Sequence, residues 1–158
     1  MNKEIDRAVV SFNDFDLQKP LLDAINKLGF EYCTPIQAQS LLHTLAGHDV
    51  TGRAQTGTGK TAAFLITIIN DLLSNPIEEQ RYIGEPRALI VAPTRELAIQ
   101  IGSDSQKLNA CCDIYTVTLV GGEEYAKQDR LLEAKPVDIV VATPGRLLDF
   151  IQNNKIYL

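Results

Sequence analysis

The chain has 158 residues, about one domain's worth, with 45% hydrophobic and 22% charged side chains. That composition is globular and excludes a disordered or collagen-like chain. Its formal net charge of −5 excludes a protein that grips nucleic acid chiefly through bulk positive charge, although a few placed cationic groups still suffice for backbone contacts.

In chain order, Leu17, Leu21, Leu22, Ile25 and Leu28 form one apolar stripe, with Pro20 in the first turn and Gly29 as the C′ residue of a first helix. Thr34-Pro35-Ile36-Gln37 reads as a second helix start, with Thr34 at N-cap, Pro35 at N1 and Gln37 at N3, and Gly47 ends that helix. From about Val50 onward, short β-branched runs alternate with helical patterns, the signature of a parallel sheet with crossover helices. Strands are predicted at Asp49–Arg53, Ala88–Ala92, Ile114–Val120 and Asp138–Ala142, the second and fourth apolar enough to be covered on both faces. Helices are predicted at Lys60–Leu73, Glu96–Leu108, Tyr125–Ala134 and Arg146–Gln152. The first of these is apolar almost all round and should lie against the sheet. Ser74–Pro86 reads as an exposed polar loop, and Thr143-Pro144 repeats the cap-then-proline signal. Residues 1–158 are therefore expected to form one three-layer α/β domain with a mostly parallel sheet and right-handed crossovers.

No apolar run approaches the roughly 18 residues of a membrane span, and the N-terminus carries acids without an apolar secretory core, so no membrane partner is expected. Cys33, Cys111 and Cys112 include no C-x-x-C pair, which reads as a reducing, cytoplasmic compartment.

The stretch Ala54-Gln55-Thr56-Gly57-Thr58-Gly59-Lys60-Thr61 carries the chemistry. It stands between a predicted strand and an apolar helix, the context a phosphate loop requires. Gly57 and Gly59 let the backbone fold closely around oxygens with amides pointing inward. Lys60 supplies a point charge for terminal phosphates, the helix N-terminus adds partial positive charge, and Thr61 offers a hydroxyl to a phosphate-bridging Mg²⁺. The strict pattern wants glycine at position 54, where this chain has Ala54. The motif implies a nucleoside triphosphate without naming the reaction.

That octapeptide resembles motif I of the DEAD-box RNA helicases, whose usual version also begins with alanine. Gly29–Gln37 resembles the family's Q motif, with Phe12 at its upstream aromatic position. Pro93-Thr94-Arg95-Glu96-Leu97 resembles motif Ia, Gly121-Gly122 the GG motif, and Thr143-Pro144-Gly145-Arg146 motif Ib. The resemblance covers nearly the whole chain, favours bacterial members, and implies a RecA-like fold. It implies ATP or ADP with Mg²⁺ as cofactors, Phe30, Thr34 and Gln37 in the adenine pocket, and Phe12 supporting it. It further implies RNA held by its backbone at Pro93, Thr94, Arg95, Gly121, Gly122 and Thr143–Arg146, and RNA-decay or ribonucleoprotein assemblies as partners. On the residues alone, Gln37 reads first as the N3 half of a capping box, and Phe12 and Phe30 read as core aromatics; the resemblance instead favours adenine recognition by Gln37. Contacts to phosphate and sugar carry no sequence information, so RNA reading is expected to be nonspecific with a modest salt slope.

Hydrolysis needs more than a phosphate loop: an acid at the end of a second apolar strand and a group that orients water. No apolar run here ends in Asp-Glu; Thr118–Glu124 places two glycines between strand and acids. The expectation is an N-terminal helicase part that lacks the Asp-Glu-Ala-Asp motif and the family's C-terminal RecA-like domain. Alone it should have negligible ATPase activity and an open sheet edge. The rival readings are a nucleotide-dependent adaptor without catalysis and a P-loop ATPase acting on something other than RNA.

Overall fold

A computed structural model describes residues 9–55, 57, 59–77 and 79–158. Among them, α1 (Lys19–Lys27) and α2 (Pro35–Thr44) precede α3 (Lys60–Ser74). Then β1 (Ala88–Val91), α4 (Arg95–Leu108), β2 (Thr116–Leu119), α5 (Tyr125–Glu133), β3 (Ile139–Ala142) and α6 (Pro144–Gln152) alternate. The sheet is parallel, in the order β1-β3-β2, with Leu89 and Val117 both opposite Val140.

β3 is central and buried throughout, so its alternating side chains feed two cores. Ile139 and Val141 join Ile90 and the buried faces of α1, α2, α3 and α4; Val140 and Ala142 join Val117, Leu119, Leu132, Leu147 and Phe150. The result is helix, sheet, helix in three layers, as predicted, with Leu65, Ile66 and Ile69 of α3 in the first core.

Local signals act where they were read. Gly29 adopts φ +76°, Gly29 N–H donates to Asn26 O and Phe30 N–H to Ile25 O, a Schellman ending for α1. Thr34 and Gln37 close a capping box at the start of α2. Gly102 brings α4 onto β2: a Cβ there would lie 2.0 Å from Thr118 Oγ1. Beside it Ser105 Oγ and Thr116 Oγ1 are 2.8 Å apart, and Asn109 Nδ2 donates to the same oxygen at 3.1 Å. β2 thus turns threonines toward α4 and Val117 and Leu119 toward the second core.

Two expectations need correction. Asp49–Arg53 is not a strand: these residues lie in irregular, exposed backbone, with Val50 at 42% exposure. An isolated extended segment needs a ladder partner, and this one has none among the described residues; a single apolar side chain gives it little burial to gain. The predicted loop Ser74–Pro86 begins on the last residue of α3, is irregular over its other described residues as expected, and is tethered. Asp138, buried at the start of β3, accepts from Arg81 Nη1 at 2.8 Å and from Tyr115 N–H at 2.8 Å, with Arg87 Nη1 at 3.5 Å. β1, predicted to be covered on both faces, pairs only with β3 among the described residues and leaves Val91 half-exposed at the sheet edge. No helix of the described residues is long and apolar enough to cross a membrane.

Candidate functional site

Motifs from the sequence gather at the carboxyl end of the sheet. Pro93 and Thr94 follow β1, Gly121 and Gly122 follow β2, and Thr143 follows β3, so all three crossover starts face the same side. In open α/β sheets that is the side where ligands bind.

The phosphate-loop residues sit at the start of α3. Gly57 and Gly59 both have positive φ, +82° and +86°, which an L side chain rarely adopts. Gly59 is the N-cap, and Lys60 and Thr61 open the helix, half-buried. Lys60 Nζ donates to the Ala54 carbonyl, folding the ammonium back over the loop. Gln55 is exposed, while Thr56 and Thr58 lie outside the described residues.

Gln37 joins this loop to the second helix. Its side chain is 5% exposed; Oε1 accepts from Thr34 N–H at 2.9 Å and Nε2 donates to Gly59 O at 3.2 Å. A Cβ at position 59 would stand 2.3 Å from that Nε2 and 3.3 Å from Thr34 Oγ1. The cap and the contact with the loop therefore coexist in one side chain. Each end of the amide spends one hydrogen-bonding position, leaving a second N–H and a second lone pair for a planar donor–acceptor edge. Thr44 Oγ1 and Thr67 Oγ1, 2.7 Å apart, fasten α2 to α3 farther along.

Upstream, Ser11 and Tyr32 form an antiparallel bridge and Cys33 N–H donates to Val10 O at 2.8 Å, so the segment around Phe12 lies against Phe30–Cys33. The Phe12 and Phe30 ring centroids are 6.5 Å apart. Phe12 is fully buried in the core, whereas Phe30 is exposed beside it.

The second group of residues lies on the neighbouring crossovers. Thr94 caps α4 by accepting from Leu97 N–H, and Arg95 Nη1 donates to Gly121 O at 3.2 Å with Nη2 3.8 Å from Glu123 Oε1. Gly122, at φ +75°, leaves the space that Arg95 uses: a Cβ would fall 2.2 Å from Arg95 Nη1. Thr143 occupies the N-cap of α6, but its side chain makes no capping bond, contrary to the cap reading; its N–H donates to Leu119 O at 3.0 Å. Pro144 and Gly145 are exposed in the first turn, whose amides lack intrahelical acceptors. The Arg146 side chain, only 11% exposed, turns inward: Nη1 and Nη2 donate to Glu123 O at 3.3 and 3.2 Å, and Nη1 to Gln128 Oε1 at 3.1 Å.

The pattern of the DEAD/DEAH box helicase family matches residues 34–158, from the cap of α2 to the last residue. The chain belongs to that family. It is 58% identical over 147 residues to an ATP-dependent RNA helicase RhlB of Pseudomonas aeruginosa, covering 93% of this chain and 37% of that protein. It is 51% identical to an ATP-dependent RNA helicase RhlB of Serratia proteamaculans, covering 93% of this chain and 34% of that one. In fold it resembles the crystal structure of a DEAD box protein from Methanococcus jannaschii, with TM-score 0.79 and 34% identity over 94% of this chain and 38% of the other. The fold is RecA-like, and the chain spans little more than a third of the length of these relatives.

Within this DEAD-box domain, motif reading missed the residues that hold the motifs together. Gln128 and Glu123 carry no family signal in the quoted motifs, yet they receive Arg146 and Arg95. The sequence cue for Gln128 is a polar residue on the buried side of α5, where an apolar one would fit the helical stripe; Glu123, which precedes that helix, carries no such cue.

Proposed function

We propose that the chain is the ATP-binding, N-terminal RecA-like part of an ATP-dependent RNA helicase. In this reading Gln37, Thr34 and Phe30 meet the adenine, with Phe12 beneath them, and residues 54–61 wrap the phosphates. The observation that carries it is the Gln37 amide, capped by Thr34 and bonded to Gly59 O, which ties a base-reading side chain to the phosphate loop.

The residues fit such a ligand. Positive φ at Gly57 and Gly59, and the absence of room for a Cβ at Gly59, give a turn that only glycine closes. Lys60, now on Ala54 O, would exchange that carbonyl for phosphate oxygens, which are the stronger, charge-assisted acceptors. Thr61 would offer its hydroxyl to Mg²⁺, which when bound neutralises charge between phosphates. Asp-Glu at the end of an apolar strand is not found in these residues, so turnover requires groups outside them.

For RNA, the first turns of α4 and α6 with Thr94, Arg95, Thr143, Pro144 and Gly145 would cradle backbone phosphates, and Gly121-Gly122 would admit the strand closely. Arg146 would act chiefly by holding the loop at Glu123, because its guanidinium is already engaged there. The names of the relatives support ATP and RNA as ligands. RNA-decay or ribonucleoprotein assemblies are proposed as partners, a C-terminal RecA-like domain as the closing half of the site, and the cytoplasm as compartment, in keeping with three free thiols.

The test is RNA-stimulated ATP hydrolysis and duplex unwinding by the complete polypeptide that contains these residues, with Lys60→Ala as control. Loss of both in the variant is expected. Turnover that ignores RNA would favour an ATPase with another substrate.

A further inference from the structure

The Gln128 side chain is 1% exposed and sits on α5, one turn beyond Gly121-Gly122. Its amide pairs with a single residue of the sheet edge: Oε1 accepts from Val120 N–H at 3.2 Å and Nε2 donates to Val120 O at 2.9 Å. It therefore completes the free edge of β2 as a neighbouring strand would, at the residue just before the two glycines. The same Oε1 accepts from Arg146 Nη1 at 3.1 Å, and Arg146 in turn donates twice to Glu123 O. From Glu123 the chain of contacts continues to Arg95, which also holds Gly121 O. One buried amide thus connects the end of β2, the glycine loop, the first turn of α6 and, through that loop, the first turn of α4.

The amide performs all three bonds because it presents two acceptor positions and a donor together. A carboxylate keeps the two acceptor contacts and loses the donor; a thioether keeps none. A residue that only filled space in this seam would need no such donor and acceptor set.

Resting on the RNA-backbone reading above, we propose that Gln128 is a positioning residue for RNA binding: it fixes Arg146 and the Gly121–Glu123 loop in the register that grips the strand. The test uses the complete polypeptide, single-stranded RNA and a nonhydrolysable ATP analogue, with affinity read by fluorescence anisotropy. Gln128→Met should weaken RNA about tenfold, equivalent to about 1.4 kcal/mol, while Gln128→Glu retains affinity within about threefold. On an Arg146→Met background, Gln128→Met should cost no more than about twofold further, because the contact through which it acts is already gone. The ADP-induced rise in melting temperature reports that each variant is folded. Should Gln128→Met not melt cooperatively, Gln128→Asn, too short to reach both Val120 and Arg146, takes its place with the same expectation.

Full affinity in Gln128→Met, or losses that simply multiply in the double variant, would overturn the assignment while Arg95→Ala still weakens RNA. If Arg95→Ala and Arg146→Met both leave RNA affinity unchanged, the RNA-backbone reading itself fails and the role of Gln128 falls with it.

Discussion

Gln37 Nε2 and Gly59 O meet at 3.2 Å, and the geometry that joins them leaves no space for any side chain at position 59. The cap of α2 and the first turn of α3 are thereby one rigid unit, so a change on either side is felt on the other.

Gly59→Ala tests this unit. The substitution forces an L residue into φ +86° and drives a methyl into the Gln37 amide. Left-handed backbone alone costs roughly 1–2 kcal/mol, and displacing the amide breaks its bonds to Gly59 O and Thr34 N–H. Calorimetry should show a lowered melting temperature and loss of ADP protection. A Gln37→Ala variant should lose less stability but a comparable share of adenine preference. Unchanged ADP protection in Gly59→Ala would contradict the clamp.

Asp138→Ala removes the acceptor shared by Arg81, Arg87 and Tyr115 N–H at the opposite end of the sheet. Stranding a buried charge partner costs about 3 kcal/mol, or roughly 6–12 °C in melting temperature at this chain size. Proteolysis should then cut first within 77–86, the segment that Arg81 ties down. Nucleotide protection should persist, because the phosphate loop is elsewhere.

Alkaline pH probes two thiols. Burial, with Asp14 adding to it, pushes the Cys33 thiol from 9.0 up to about 11. Burial, then Cys111, does the same for Cys112, also to about 11. A thiol whose pKa is higher in the folded state stabilises the fold fully below the unfolded pKa, and that contribution is lost as pH rises through the folded one. Melting temperature should therefore fall between pH 9 and 11, and fall less in the Cys33→Ala/Cys112→Ala variant. Parallel pH curves for the two proteins would refute the assignment.

Much of this arrangement was legible in the sequence because the deciding interactions are local. Gly29 and Thr34 act within one helical turn of themselves, and the apolar run of β3 is covered on both faces as read, whereas the equally apolar β1 lies at the edge because strand order depends on partners. Asp49–Arg53 was misread because strand formation depends on a partner, which local pattern does not supply. The inward turn of Arg146 was equally invisible: its partners, Glu123 O and Gln128, lie 23 and 18 residues away along the chain. Asp138 sits beside an apolar strand in sequence, and nothing nearby shows that arginines more than fifty residues earlier reach it.

The most direct measurement is a melting scan of the protein with ADP and with GDP, in wild type and Lys60→Ala. ADP at about 100 times its dissociation constant should add about 2.7 kcal/mol, or roughly 5–10 °C, with GDP giving clearly less and Lys60→Ala almost none. Equal protection by the two nucleotides, or an ADP shift that survives in Lys60→Ala, would contradict the adenine pocket built on Gln37 and the phosphate loop beside it.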